Sequence, residues 1–201
     1  MSYPSHPYRS LGVALAAAAI AACASTGGTV GTMNASQQAA RVGATVRNDG
    51  NILATLHASN LGEISAGMLA QQRGTDSAVK AFGSMMMAEH SQLDQQGATL
   101  SQQIAVAPVL PDSTLTRLIR TESDTLRRAA PGPAFDRLYI ASQIVDHQRT
   151  LALVDASIGI AQHAELKTAL QSQVRPAVAA HLARAQEIQS RLGAPTVSSN
   201  P

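Results

Sequence analysis

Aromatic residues are scarce in this chain. Among 201 residues there are two phenylalanines, three tyrosines and no tryptophan, together 2% of the sequence. Because β-sheets rely on aromatic and β-branched side chains, a chain rich in alanine, leucine and glutamine predicts an all-α protein. Aromatic residues also provide stacking surfaces for bases, and the formal net charge is only +2, without a block of basic residues. We therefore expect no nucleic-acid binding.

Cysteine occurs only once, at Cys23. An intramolecular disulfide and a metal site with several thiolate ligands are therefore both excluded. Arg9 precedes an apolar run, residues 11–22, that is too short to span a bilayer comfortably. A basic residue followed by a short apolar run is typical of a secretory signal. The run ends in Ile20-Ala-Ala-Cys23, which resembles the bacterial lipobox, a motif in which the signal is removed and the cysteine is acylated.

We predict a lipoprotein-type signal peptide over residues 1–22 and lipid attachment at Cys23; the alternative is an ordinary cleavage site with an incidental cysteine. Ala24 follows the cysteine. By resemblance to lipoproteins of diderm bacteria, this residue favours sorting to the outer membrane, facing the periplasm. The acyl chains would then attach the domain to the membrane without a transmembrane helix.

Residues 24–47 are rich in Ser, Thr, Gly and Gln, so together with Cys23 we interpret this segment (23–47) as a lipidated, flexible tether. The alternative is a short helix across Asn34–Val46. The polar tail over residues 194–201 is predicted to be disordered.

Four long amphipathic helices are predicted between residues 48 and 193. Their apolar residues recur at intervals of three and four, which is the period of one buried helix face. Caps and stop signals set the bounds: Asn48 or Asp49 to Arg73, Asp76 to Ile104, Ala134 to Gly159, and Ala164 to Gly193. Pro176 predicts a kink or a break inside the last of these helices.

The connection between the second and third long helices has roughly thirty residues and contains a shorter amphipathic helix, from Asp112 or Ser113 to Ala130. It is long enough to cross a bundle lengthwise, as the long connection of ferritin-like bundles does. The predicted fold is therefore a ferritin-like four-helix bundle with a short extra helix in this connection.

Each long helix carries one polar residue within its apolar stripe: Glu63, His90, His147 and His181. Each lies roughly 20–25 Å from the start of its helix, so antiparallel packing brings all four to one level. Three imidazoles and one carboxylate at the centre of a bundle would bind one divalent metal ion, namely zinc, iron, copper or manganese. The open alternative is a hydrogen-bonded polar layer without metal that sets the helix register.

Several neighbours of these residues bear on the site. Glu89 and Asp146 each precede a histidine, but adjacent helical residues point about 100° apart, so we expect outer or surface positions for both. Met86 offers a soft ligand for copper or a core side chain. The Tyr139 hydroxyl could form a hydrogen bond at another level of the bundle. His57 is expected at the edge of the bundle.

Three stretches of the sequence resemble a bacterial family described only as domain of unknown function number 4142. They are Ala58–Ala70, Met87–His90 and Phe135–Tyr139, the last followed by His147 and His181. The resemblance covers about residues 48–192. It implies a ferritin-like bundle in a secreted or outer-membrane protein, and it implies no established activity.

One departure from the ferritin pattern limits the kind of metal site. Carboxylate-bridged di-iron sites use Glu-x-x-His on two helices, but Met87, Ile144 and Val178 stand three residues before the core histidines. This difference favours a mononuclear, histidine-rich site over a di-iron oxidase or an iron-storage cage.

No recognisable Ser-His-Asp order and no phosphate-binding glycine loop occurs in the sequence, so a hydrolase is not expected. The leading hypothesis is a non-enzymatic periplasmic lipoprotein of the outer membrane, whose bundle holds one metal ion for metal handling or stress protection. One alternative is a redox-active metalloenzyme that consumes peroxide or oxidises a metal ion. The other is a metal-free structural or interaction protein of the cell envelope.

Overall fold

A computed structural model describes residues 34–193, and every regular element in this range is a helix. The elements are α1 (Ala35–Gly43), α2 (Asp49–Arg73), α3 (Ser77–Gln103), α4 (Thr114–Arg128), α5 (Pro133–Ile160), α6 (Ala164–Ala169), a π-helical turn (Leu170–Val174) and α7 (Arg175–Gly193). The prediction of an all-α bundle is confirmed. The predicted signal peptide, the lipid attachment at Cys23 and the predicted disordered tail lie outside the described residues.

The long helices begin at the predicted caps. The Asn48 side chain accepts a hydrogen bond from the backbone N–H of Asn51, and the Asp76 side chain accepts from the N–H groups of Ala78 and Val79. Each cap satisfies backbone donors that a helix start leaves unpaired. None of these helices is long and apolar enough to cross a membrane, within the range that the structure covers.

A helix occupies part of the segment in which a tether was predicted. The Asn34 side chain and the Gln37 side chain form a reciprocal capping box at the start of α1. Val42 is buried against Leu153 and Val154 of α5. The tether prediction is therefore corrected over residues 35–43, and the alternative of a short helix is the one found. The stretch presents too few large apolar residues for its sequence pattern to reveal this packing.

The direction of each helix follows from hydrogen bonds between helix ends. The buried Asp136 carboxylate, at the start of α5, accepts from the N–H groups of Thr75 and Asp76, just after α2. At the opposite end, the Asp49 carboxylate of α2 accepts from the N–H groups of Gln162 and His163, just after α5. Helices α2 and α5 are therefore antiparallel. Because short connections also make α2–α3 and α5–α7 antiparallel pairs, α3 and α5 run in the same direction.

Helix α4 carries the chain along the full length of the bundle. The segment before it is tied to the start of α2, where the Asn51 side chain donates to the Val109 carbonyl. The segment after it is tied to the end of α2, where the Arg73 guanidinium donates to the Ala129 carbonyl. The connection is long enough to cross the bundle lengthwise, and the structure shows that it does so, which permits the parallel arrangement of α3 and α5.

The last long helix changes its hydrogen-bond pattern just before Pro176. The N–H of Arg175 donates to the carbonyl of Leu170, five residues earlier, so the chain widens into a π-helical turn. Proline lacks an N–H and its ring crowds the carbonyl four residues before it. The interruption expected at Pro176 therefore appears as a π-helical turn in an otherwise continuous helical path.

Two clusters of buried side chains lie at different levels of the bundle. The first core cluster includes Phe82, Met86, Phe135, Tyr139 and Ile140, with Ala and Ile residues of α7. The second core cluster consists of nine buried apolar residues: Val42, Val46, Ile52, Leu53, Leu115, Leu153, Val154, Leu166 and Leu170. The polar residues that were predicted to form the site lie between these clusters along the helices.

Candidate metal centre

The three core histidines come together from three different helices. The ring centroids of His90 and His181 are 5.1 Å apart, those of His147 and His181 5.3 Å, and those of His90 and His147 5.8 Å. One ring nitrogen from each histidine lies within 4.8 Å of the other two, so the three buried residues could hold a metal ion. The level predicted from their depth along each helix is confirmed.

Hydrogen bonds set the tautomers of His90 and His147. The Nδ1 atom of His90 lies 2.9 Å from the Asn60 side-chain oxygen, and Nδ1 of His147 lies 2.8 Å from the backbone carbonyl of Gln143. Because both oxygens are acceptors, both Nδ1 atoms carry the proton. The Nε2 atoms are therefore lone-pair acceptors, and they are buried without a hydrogen-bond partner among the described residues.

His181 has the opposite tautomer, and it too has one buried ring nitrogen without a hydrogen-bond partner among the described residues. Its Nε2 atom lies 2.7 Å from a carboxylate oxygen of Glu89, so Nε2 carries the proton and Nδ1 bears the lone pair. This Nδ1 atom is also buried and unpaired within residues 34–193. Glu89 was expected at an outer or surface position. Its carboxylate accepts a hydrogen bond from His181, which belongs to another helix.

This arrangement is the one that metal-ligating histidines use. Each imidazole donates its protonated nitrogen to an oxygen acceptor, which fixes the ring and leaves the other nitrogen for a metal. Three nitrogens around a tetrahedral zinc ion, at about 2.0–2.1 Å each, lie roughly 3.3 Å apart. The three histidine nitrogens lie within 4.8 Å of one another, so any separation above about 3.3 Å would have to shorten for tetrahedral zinc.

Burial keeps the three histidines neutral. It lowers the pKa of His90 to about 3, with a further lowering from the neighbouring His147 and His181, and it lowers the pKa of His147 to about 4. Burial likewise lowers the pKa of His181, although the hydrogen bond to Glu89 acts in the other direction. At neutral pH all three rings therefore have a free lone pair, which is the form that binds a metal.

Glu63 lies beside the three histidines and is not one of the converging donors. Its carboxylate accepts a hydrogen bond from Nε2 of Gln143 at 2.7 Å, and one oxygen lies 3.8 Å from Nδ1 of His147. That nitrogen is the one bonded to the Gln143 carbonyl, and it is not the unpaired Nε2 atom. Burial raises the pKa of Glu63 to about 7, against the stabilising hydrogen bond from Gln143.

Asn60 and Gln143 hold the site together, and neither was predicted to do so. Both are buried. Their spacing carries a usable signal: Gln143 precedes His147 by four residues, and Asn60 precedes Glu63 by three, so each shares a helix face with a residue of the site. A search restricted to charged residues and histidines overlooks neutral amides of this kind.

Other residues near the site have different partners. Asp146 and Glu122 both bind the buried Arg149 guanidinium, at 2.9 Å and 2.8 Å. Met86 belongs to the first core cluster. The Tyr139 hydroxyl is buried without a hydrogen-bond partner in the described part of the chain. His57 is exposed and pairs with Asp94 at 2.7 Å, so its expected place at the edge is confirmed.

A cavity of about 1140 Å³ leads from the surface to the histidines. Asn60, Glu63, His90 and His147 contribute to its lining, and much of the remaining wall is leucine, valine and alanine from α2, α3 and α6–α7. Leu93, Gly97 and Leu100 continue the apolar spacing of α3, but they line this cavity and are only half-buried.

Comparison with known proteins identifies a family. The chain belongs to the family described as Domain of unknown function (DUF4142), whose sequence model matches residues 34–188. The match begins at α1, in agreement with the packing of that helix on the bundle. No curated protein and no solved structure shows a significant match.

Proposed function

We propose that this protein holds one divalent metal ion between His90, His147 and His181, in a helical bundle anchored to the cell envelope through Cys23. Its role would be non-enzymatic metal handling or stress protection. The observation that carries the proposal is the set of three buried imidazole nitrogens that have no hydrogen-bond partner within residues 34–193. An unpaired buried acceptor costs about 1–3 kcal/mol. Three at one point are costly for the metal-free protein, and a bound cation would remove that cost.

The donor set favours some of the expected metals over others. Imidazole nitrogen suits zinc, copper and iron, whereas manganese prefers carboxylate and other oxygen ligands. Because Glu63 lies outside the three converging donors, zinc, copper or iron fits the site better than manganese does. Three protein ligands leave a fourth coordination position for another group.

A metal titration tests this proposal. We expect the metal-free protein to bind one equivalent of zinc or cobalt, with cobalt giving the intense visible absorption of a four-coordinate site. His90→Ala, His147→Ala and His181→Ala should each weaken binding by at least tenfold. His57→Ala is the matched control, because His57 is exposed, pairs with Asp94 and is not one of the three converging histidines. Unchanged affinity in all three core variants would contradict the proposal.

The envelope location rests on the amino-terminal sequence. The short apolar run before Cys23, and the absence of any other cysteine, support acylation at this position. We expect the wild-type protein to fractionate with outer membranes and to carry lipid at Cys23 by mass spectrometry. A Cys23→Ser variant should be released from the membrane. Lipid-free wild-type protein in the soluble fraction would contradict the anchor.

A redox metalloenzyme is the second candidate function. The cavity favours it, since a small reactant could reach His90 and His147 from the surface. Consumption of peroxide by the iron- or copper-loaded protein, lost in His90→Ala and kept in His57→Ala, would support this candidate. Equal consumption by both variants would exclude the cluster as its source.

A further inference from the structure

The cavity beside the histidines is long, and the histidines lie at one of its ends. Along α3 its lining extends from His90 to Gln103, and thirteen residues at 1.5 Å each span about 20 Å. On α2 the lining extends from Glu63 back to Leu53, in the antiparallel direction. The histidines therefore lie at one end of an elongated space that runs parallel to the helices.

The wall changes character along this length. Beyond the histidine end, apolar side chains make up most of the wall: Leu56 of α2, Leu93 and Leu100 of α3, and Leu166, Leu170 and Val178 of the last helical path. Polar side chains such as Gln95, Gln103 and Thr168 also belong to this wall. At the histidine end, His90 and His147 are at most 4% exposed, and each has an unpaired nitrogen. A molecule that matches this cavity is apolar along most of its length and polar at one end.

The charge of a bound divalent ion determines which polar group a ligand in this cavity would carry. Three neutral imidazoles leave the charge of a divalent ion uncompensated, and Glu63 contributes at most one negative charge. An anionic group is therefore favoured at the free coordination position. The volume, about 1140 Å³, is slightly above the range of ordinary ligand pockets, about 300–1,000 Å³, which leaves room for a long chain.

We propose that the cavity binds an aliphatic carboxylate, with its carboxylate on the metal ion and its chain along the leucine-lined wall. This inference rests on the proposed metal site and adds the class of its exogenous ligand. No covalent step is involved: the carboxylate occupies the fourth position of the ion, and the chain buries its methylene groups, each worth about 0.8 kcal/mol when fully transferred from water.

Gly97 provides the means to block the cavity. A Cβ atom added there meets no atom of residues 34–193 within 4 Å, and the residue lies on the cavity wall in the last third of α3. Gly159 is a matched control, since it also lies within a helix, has the same open surroundings and lines no part of this cavity. Gly97→Phe should fill the space, whereas Gly159→Phe should place its ring outside it.

The test uses the full-length, untagged protein loaded with cobalt, and decanoate kept below its micelle-forming concentration. We expect decanoate to change the visible cobalt spectrum and to bind at least tenfold more tightly than acetate. Decanol should leave the spectrum unchanged. Gly97→Phe should weaken decanoate binding at least tenfold while cobalt binding is kept, and Gly159→Phe should behave like the parent.

The outcomes separate the two proposals. If the protein binds no cobalt, the metal site fails and the carboxylate proposal fails with it. If cobalt binds but decanoate is no tighter than acetate, or if both phenylalanine variants bind decanoate equally, the ligand proposal is overturned while the metal site stands. Decanoate binding without any spectral change would also overturn it, because the carboxylate would then not be on the metal.

Discussion

The two ends of the bundle are built from the same long helices but are packed differently. Around the first core cluster, α2 and α3 approach so closely that a Cβ atom on Gly67 would lie 2.6 Å from the Gly83 carbonyl oxygen. Beyond the histidines, Gly97 faces open space and the cavity begins. At one end α2 and α3 are therefore packed closely against each other, whereas at the other end they leave a cavity beside the buried histidines.

The largest expected difference between the ends comes from truncating core side chains. Ile140 is fully buried in the first core cluster, so Ile140→Ala should lower the free energy of unfolding by about 2–5 kcal/mol. Leu100 lines the cavity and is half-buried, so Leu100→Ala should cost roughly 1 kcal/mol or less. Denaturant unfolding measures both values. Equal costs would show that the two ends are packed alike.

Metal should stabilise the protein through the histidine layer between the two ends. Zinc in hundredfold excess over its dissociation constant should raise the free energy of unfolding by about 2.7 kcal/mol. His181→Ala should abolish most of this gain, because its Nδ1 atom is one of the three unpaired nitrogens. Thermal unfolding with and without zinc measures the effect, with His57→Ala as the control. A full gain in His181→Ala would contradict the site.

The two glycines on opposite sides of the histidine layer should respond with opposite signs. Gly67→Ala forces a methyl group against the Gly83 carbonyl and the Met87 side chain, and should destabilise the protein by about 1–3 kcal/mol. Gly97→Ala meets open space, so it should stabilise α3 by about 0.5–1 kcal/mol. Urea unfolding of both variants measures the two changes in the free energy of unfolding. The same sign for both would show that the glycine contact does not distinguish the two ends.

The smallest expected effect is the pH dependence of the metal-free protein. The folded pKa values of His90 and His147, about 3 and about 4, lie below the unfolded value of 6.5. The unfolded chain therefore binds more protons, and each histidine should cost about 1 kcal/mol of stability between pH 6.5 and 5.5. The folded pKa of Glu63 is raised to about 7, so the folded protein binds the extra proton. Glu63 should therefore add about 1 kcal/mol of stability when the pH falls from 6.5 to 5.5.

Glu63→Gln separates these two contributions. It removes the opposing carboxyl group while keeping an oxygen that can accept from Gln143. We expect the loss of stability between pH 6.5 and 5.5 to be about 1 kcal/mol larger in Glu63→Gln than in the parent protein. Urea unfolding at both pH values measures it. An equal loss in the parent and in Glu63→Gln would contradict the raised pKa of Glu63.

Most of the helical architecture could be predicted from local sequence. Caps such as Asn48 and Asp76 act on their own helix, and the observed bounds of α2 and α3 follow them within a residue. The depth of each histidine was also predictable, because the rise per residue of a helix is constant. Helix α1 was not favoured, since its burial depends on α5, more than a hundred residues later.

Other features of the site depend on tertiary structure. No local pattern reveals that Glu89 of α3 binds His181 of α7, or that Glu63 lies beside the histidines instead of among them. The apolar spacing of α3 continues through Leu93 and Leu100 without any change that would predict the cavity. Whether an apolar residue packs on a neighbour or lines an opening depends on the distance to the facing helix.

The most direct test of the central claim is the metal content of the untagged protein, purified without chelator, beside a His90→Ala/His147→Ala double variant. Elemental analysis should find close to one zinc, copper or iron ion per chain in the parent and almost none in the variant. Absence of metal from the parent, even after loading with each of these ions, would contradict the account. The three histidines would then be a structural polar layer.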